Sequence, residues 1–447
     1  MINKIALIFY LMVSQNLLTE GCNNIAKFKS QRNINILQLR TKGYGKSSIN
    51  LSVFRKSGLM TLNNVQIISY FGSEGDIVLA FRDLTKNRVF YRTLKNEMMA
   101  RLLGDGHCSI NMGYSNDGYL HLICGAHATV PYYLKLKIVS LQEGKIDIIS
   151  TDFHLLNLPC KNITYPQFYN LGNHLLLVYR NDDANTMAIN KYDTSTGTWQ
   201  KYHISLIKAN NIASVYINTI GIRDNYVAIA YTCRVKNDNP NSNENIYVIY
   251  SDNFGLTFKD SNSAQLIDLP IDGRREIPPL MIIPQGSNLI NQCGAFIDSR
   301  YIFRIVYYAN DKKGIPQIYM ISYDLKHNNL IAVEQVTSRN LDFELAGMGT
   351  LSLPISRPEI FQIGDNLAII YREVENIILL KKPIECQGNW QTYSIFTGYI
   401  KNWEPVVDTT LLLLNKLSIF IQGAKQGESD TIFENGIAQP ILIIDYW

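Results

Sequence analysis

From Asn33 onward the apolar residues fall into short β-branched and aromatic runs separated by clusters of Asn, Asp and Gly. Runs of this kind predict strands at Val65 to Phe71, Asp76 to Phe81, Arg88 to Leu94, Leu175 to Tyr179, Tyr226 to Tyr231, Ile246 to Tyr250, Tyr301 to Tyr308, Gln317 to Tyr323, Asn366 to Tyr371 and Lys416 to Ile421. Only Lys95 to Leu103 carries a helical apolar period long enough to compete. Many short strands with turn signals between them define an all-β sandwich, barrel or propeller.

Internal repetition selects the propeller. An aromatic residue or Cys followed by Arg closes an apolar run at Phe81-Arg82, Tyr179-Arg180, Cys233-Arg234 and Tyr371-Arg372. The run Ser251, Asp252, Asn253, Phe254, Gly255, Leu256, Thr257, Phe258 resembles the Asp-box of sialidase-like propellers, with Asn253 in the Asp position, and Tyr192 to Trp199 is a degenerate second copy. Such a box is a tight hairpin turn: a short polar side chain bonds the local backbone, Gly takes a conformation closed to other residues, and an aromatic packs between sheets. Four strands per blade give about six to eight blades at this length, and seven are expected, in one domain over residues 33–447.

Composition narrows the class. With 447 residues, 46% hydrophobic and 18% charged, the chain can bury a large core. A formal charge of +4, with Lys and Arg spread along the chain, excludes a nucleic-acid stripe and suits an acidic ligand such as a uronate or sialate polymer. Met1 to Cys22 has the form of a signal peptide or lipoprotein-type leader: Lys4, an apolar run from Ile5 to Val13 too short to span a bilayer, then Gly21 and Cys22. A secreted or periplasmic protein is expected, with lipid attachment at Cys22 one version and a first β-strand the alternative. The seven cysteines, at 22, 108, 124, 160, 233, 293 and 386, show no zinc spacing, and no cofactor or metal site is legible. Cys108 and Cys124 are either paired across a hairpin or buried as thiols. A monomer without a membrane span is expected.

The chemistry concentrates in Gly104 to His127, which holds three of the seven histidines in a strand, turn, strand pattern. His121 shares a strand face with Tyr119 and Ile123 and is expected to be structural. His107, after Asp105 and Gly106, and His127, after Gly125 and Ala126, stand at the two ends of that hairpin and can share one rim, where imidazoles near neutrality transfer protons. Propellers bind ligands on the axial face, where strand ends of several blades converge, so the four aromatic-Arg positions are candidates to meet there.

An ordered set of blocks carries a family resemblance: DGHCSINMGYSNDGYLHLICGAH, TYPQFYNLGNHLLLVYR from Thr164, NKYDTSTGTW from Asn190, YSDNFGLTF from Tyr250, SRPEI from Ser356 and NWEPVVD from Asn402. Together, over about Gly72 to Gln422, they resemble the BNR repeat-containing family of propellers, the group that includes ulvan lyases. The resemblance implies a seven-bladed propeller and cleavage of a uronic-acid polysaccharide by β-elimination. It implies catalytic roles for His107, His127, Tyr165 and Arg180. Arg234, Arg357 and Arg372 are candidate contacts for an anionic substrate, and Trp403 and Glu404 for shaping its groove. Two positions depart from the family pattern: Cys108 stands where the family usually has Asn, which removes an amide that could orient His107 or touch a sugar hydroxyl, and Arg234 follows Cys233 where Trp is common. Two other readings stay open. One is a sialidase-type hydrolase, needing a Tyr activated by an acid and three clustered arginines. The other is a glycan-binding propeller that has lost the reaction.

Overall fold

The computed structural model describes residues 34–446 apart from 53, 96–99, 209–212, 237 and 386–387. Seven sheets, antiparallel but for one edge pairing in the third, form the blades of a β-propeller. The first blade comprises Leu59–Leu62, Val65–Phe71, Ile77–Asp83 and Arg88–Leu94; the second, Asn111–Ser115, Tyr119–Cys124, Tyr132–Ser140 and Lys145–Ser150. In the third, Ile163–Leu171, His174–Asn181, Thr186–Asp193 and Thr198–Lys208 are joined at the edge by Ile271–Asp272. The fourth sets Ser214–Ile217 and Gly221–Arg223 against Tyr226–Arg234, followed by Asn243–Ser251 and Lys259–Asp260. The fifth (Ala295–Ile297, Ile302–Asn310, Pro316–Asp324, Asn329–Gln335) and sixth (Glu359–Ile363, Asn366–Glu373, Asn376–Pro383, Gln391–Thr397) are plain meanders.

The seventh blade closes the ring with both ends of the chain. Leu417–Ile421 and Leu442–Tyr446 are flanked on one side by Ile34–Gln38, in register from Ile34 opposite Tyr446 to Gln38 opposite Leu442. On the other side a single bridge, Val407 to Ile419, stands in for an innermost strand. First strands of successive blades touch, as Asn111–Ser115 does Ile163–Leu171, so they line the axis. Middle strands such as Val65–Phe71 and Ile77–Asp83 are buried along their whole length because both faces meet a neighbouring blade, whereas fourth strands such as Asn329–Gln335 face solvent.

The Asp-box turn forms as its chemistry predicts. Asn253 Oδ1 accepts from Thr257 N at 3.0 Å, Ser251 Oγ accepts from Gly255 N at 2.8 Å, Gly255 has φ +80° and Phe258 is buried. In the second copy Asp193 Oδ1 takes Ser195 N, Gly197 has φ +68° and Trp199 is buried. Two alternatives left open by the sequence take these outcomes among the described residues. Lys95 to Leu103 forms no α-helix among its described residues, only a 3-10 turn at Ala100–Gly104. Cys108 and Cys124 are not disulfide-bonded; both are buried thiols. The Met1 to Cys22 leader and Cys386 lie outside the described residues, and among those described no helix is long and apolar enough to cross a membrane.

In a four-stranded meander the entry to the first strand and the turn between second and third strands lie at the same end. Residues at these positions in different blades therefore gather on one face of the ring. Phe54, Asp105, His107, Arg357 and Glu404 stand on entries; His127, Arg180, Arg234 and Asp430 stand on second-to-third turns or the strand ends that lead into them.

Candidate active site

Asp105 organises the first half of the site. Its carboxylate caps the 3-10 turn Gly106–Cys108, accepting from His107 N at 2.8 Å, and the same Oδ1 lies 2.7 Å from His107 Nδ1. Its Oδ2 lies 2.5 Å from His127 Nδ1. One carboxylate thus holds both imidazoles by the same edge. The rings stack, centroids 4.0 Å apart and 17° from parallel, and Phe54 stacks on the other face of His107 at 4.6 Å. The backbone of the hairpin keeps this register: Gly125 N donates to Cys108 O at 3.1 Å, tying the turn that carries His107 to the strand end that leads to His127.

The third blade supplies the second half. Tyr165 lies at a β-bulge where pairing shifts between Thr164 and Gln167, and its φ of +58° is left-handed. The residue before a proline is ordinarily extended, so this backbone departs from the local rule. A non-glycine residue held there is a strained position of the kind found at functional sites. The bulge turns the phenol toward the histidines: its ring lies 5.7 Å from His107 and 4.7 Å from Phe54. Arg180 sits 5.0 Å from the Tyr165 ring and is anchored through Nε by Asp182 Oδ1 at 2.7 Å. Both its Nη groups are left without a hydrogen-bond partner among the described residues. Thr164 Oγ1 joins the halves, donating to Asp182 Oδ2 at 2.6 Å and accepting from Ala128 N at 2.8 Å.

Protonation follows burial and neighbours. Burial, with Tyr216 alongside, pushes the Tyr165 phenol well above its ordinary value against the pull of Arg180, Arg234 and Arg357. Burial lowers His107. Burial also works against protonated His127, yet hydrogen bonding and charge from Asp105 leave it raised. His121, expected to be structural, has no exposure, bonds Ser115 and Tyr133, and is pushed down to about 3 by burial and Lys135.

The remaining candidates divide. Arg234 joins the site: its guanidinium lies over Tyr216 at 4.5 Å, on a ring it shares with Arg180, and its Nε donates to Asn243 at 3.1 Å. Arg357 also faces it, 5.8 Å from Phe54, but is already bound by Glu404 at 2.7 Å and by Asn291. Glu404 therefore acts as the anchor of Arg357. Arg372 and Trp403 are corrected. Arg372 is buried, with its guanidinium on the carbonyls of Trp403, Pro354, Val374 and Leu353. Trp403 has no exposure and donates to Phe420 O at 2.6 Å. Both brace the junction of the sixth and seventh blades and reach no groove. Cys108 is buried in the core between the first two blades with its thiol against the Asp105 carboxylate, so its departure from Asn falls directly behind the group that holds the histidines.

Sequence reasoning missed Asp105, Asp430, Phe54 and Tyr216. The ligand atoms of Asp105, His107, His127 and Asp430 lie within 4.8 Å of one another, a donor set that a divalent cation accepts. Yet the imidazole–Asp105 separations of 2.7 and 2.5 Å are hydrogen-bond lengths, whereas ligands about 2.1 Å from a tetrahedral ion stand roughly 3.4 Å apart. As folded, Asp105 and the two rings stand at hydrogen-bonding distance.

Fold and site together define a seven-bladed β-propeller with a carboxylate-bridged histidine pair, a tyrosine and two arginines on one face. The chain belongs to the BNR repeat-containing family, whose model matches residues 65–333, more than half of it. No curated protein matches the sequence. Among solved structures it is similar to an ulvan lyase of polysaccharide lyase family PL25 bound to -[GlcA(1-4)Rha3S]-, with 12% identity, TM-score 0.61, and coverage of 90% of this chain and 96% of that one. A second PL25 ulvan lyase structure gives 13% identity over the same shares. An oligogalacturonate lyase in complex with manganese is more distant, at 11% identity, TM-score 0.45, and coverage of 93% and 96%.

Proposed function

We propose that the protein is a polysaccharide lyase that cleaves a uronate-containing anionic glycan by β-elimination. The observation that carries this reading is the meeting, on one face, of a guanidinium with two uncommitted Nη groups, a neutral phenol and an Asp-bridged imidazole pair. Elimination asks for these three functions. Arg180, a planar and permanent cation, takes the uronate carboxylate and lowers the cost of the enolate-like charge that develops there. A neutral imidazole, His107, takes the C5 proton through Nε2; the C5–H electrons form the C4–C5 double bond as the C4–O bond breaks. Tyr165 gives its proton to the departing oxygen. His127, the more basic ring, adds positive charge beside the carboxylate, and Arg234 contacts a further anionic group of the chain. The ulvan lyase likeness supports the same class of polymer. Such polymers are met outside the cell, in keeping with the leader expected at Met1 to Cys22.

A sialidase-type reaction has less support, because its tyrosine needs a carboxylate partner and no acid is hydrogen-bonded to Tyr165 among the described residues. The test is the ultraviolet absorbance of an unsaturated uronate during incubation with a panel of anionic polysaccharides. The wild-type protein is expected to raise it on at least one polymer, and folded His107→Ala and Arg180→Ala variants to lose about 10²-fold or more of the rate. Full activity in both variants overturns the site; binding without turnover across the panel leaves a glycan-binding propeller.

A further inference from the structure

We infer that Asp105 and Asp430 are positioning residues that clamp the two stacked imidazoles by their Nδ1 edges, so that the pair carries a single positive charge and both Nε2 edges are left for the substrate. The consequence for catalysis rests on the lyase reading; the clamp itself does not.

Asp430 arrives from the seventh blade, on the turn between Leu417–Ile421 and Leu442–Tyr446. Its Oδ2 lies 3.6 Å from His107 Nδ1, too far for a hydrogen bond and close enough for charge to matter, with a side chain only 12% exposed. The chain is strained to put it there. Ser429 and Asp430 both take left-handed backbone, with φ of 51° and 61°, a conformation unfavourable for non-glycine residues. Two further features of the inter-blade segment before the sixth blade fit the same carboxylate. Thr350 N donates to Asp430 Oδ1 at 2.8 Å, and Gly349, at φ +75°, leaves space that a Cβ would fill 2.6 Å from Asp430 Oδ2. Closing the propeller requires none of this.

Bidentate use of Asp105 fixes the rings. Each Nδ1 meets a different oxygen of one carboxylate, so each neutral ring carries its proton there and presents a lone pair at Nε2. Two parallel rings 4.0 Å apart resist carrying two positive charges, whereas two carboxylates behind them favour at least one. The groups facing the pair are Asp105, Asp430, Thr350, Tyr165, Phe54, the Cys108 thiol and, beside His127, Arg180. Their balance places the single charge on His127: His107 is depressed and His127 raised.

The test is nitrogen and proton NMR of the histidine side chains in the full chain, across pH, for wild type, Asp430→Asn and Asp105→Asn. Wild type is expected to show both neutral rings protonated at Nδ1 and two separated titrations, the higher from His127. Asp430→Asn removes a facing negative charge and lowers both apparent values by about one unit. Gly349→Ala, which displaces that carboxylate without removing it, shifts them the same way. Asp105→Asn keeps the acceptor for the turn and releases the ring tautomers. If Asp430→Asn and Gly349→Ala both leave the histidine titrations at wild-type values, the clamp is wrong, whether or not the protein is a lyase. If the titrations move as stated and no variant or wild type yields an unsaturated product, the lyase reading falls and the clamp stands. With both correct, the acid limb of kcat/KM moves to lower pH in Asp430→Asn.

Discussion

Arg180 and Arg372 end equivalent second strands behind the same tyrosine and have opposite fates. Arg180 is held through Nε alone and keeps its fork open; Arg372 spends its guanidinium on four carbonyls in a junction between blades. A two-residue signature marks a strand end and says nothing about which way the side chain turns, because that depends on acceptors distant in sequence. That His107, His127, Tyr165 and Arg180 lie together agrees with the order of the blocks that carry the family resemblance. Asp105 had a local signal that went unused: an Asp two residues before a His at a turn is an N-cap, and a cap carboxylate has a second oxygen to offer. Asp430 had none, since it meets His107 only through ring closure. At this scale the roles separate kinetically. In the proposed reaction Tyr165→Phe removes the proton for the leaving oxygen, so it is expected to lower kcat by about 10²- to 10⁴-fold with little change in KM. Arg234→Ala is expected to raise KM more than it lowers kcat, since in the proposed reaction Arg234 meets the polymer away from the breaking bond. Steady-state kinetics on the responsive polymer measures both, and a Tyr165→Phe enzyme with wild-type kcat would remove Tyr165 from the chemistry.

Strands and turns were the most readable elements. The Asp-box at Ser251 to Phe258 specified its own hydrogen bonds, glycine and buried aromatic, so a local motif fixed a local structure. The bulge at Tyr165 was not readable: an X-Pro step predicts extended backbone, and tertiary packing against Phe54 and Arg180 selects the left-handed state instead. The junction between the first and last blades rests on an element-scale device, the buried pair Arg82 and Asp445 at 2.7 Å, on a middle strand of the first blade and the C-terminal strand of the seventh. Arg82→Met leaves the Asp445 carboxylate buried without its cation. Breaking such a pair costs about 3–5 kcal/mol, so the denaturant midpoint is expected to fall sharply, and a midpoint within error of wild type would show the pair to be dispensable.

At the scale of the whole molecule, length and strand spacing bounded the blades at about six to eight and the family resemblance implied seven, while closure was not legible, because nothing in the sequence marks Ile34–Gln38 as the partner of Leu442–Tyr446. That closure shapes the site as well as the fold, for it brings Asp430 within reach of a histidine more than three hundred residues earlier. The central claim, that this face performs an elimination, differs from its rivals in the origin of one oxygen atom. The most direct measurement is mass spectrometry of the oligosaccharides released from a uronate-containing polymer in water enriched in oxygen-18. Elimination breaks the C4–O bond with no water added, so the account predicts products that carry an unsaturated uronate and no solvent oxygen. Saturated products carrying one heavy oxygen per cleavage would contradict it and make the protein a hydrolase.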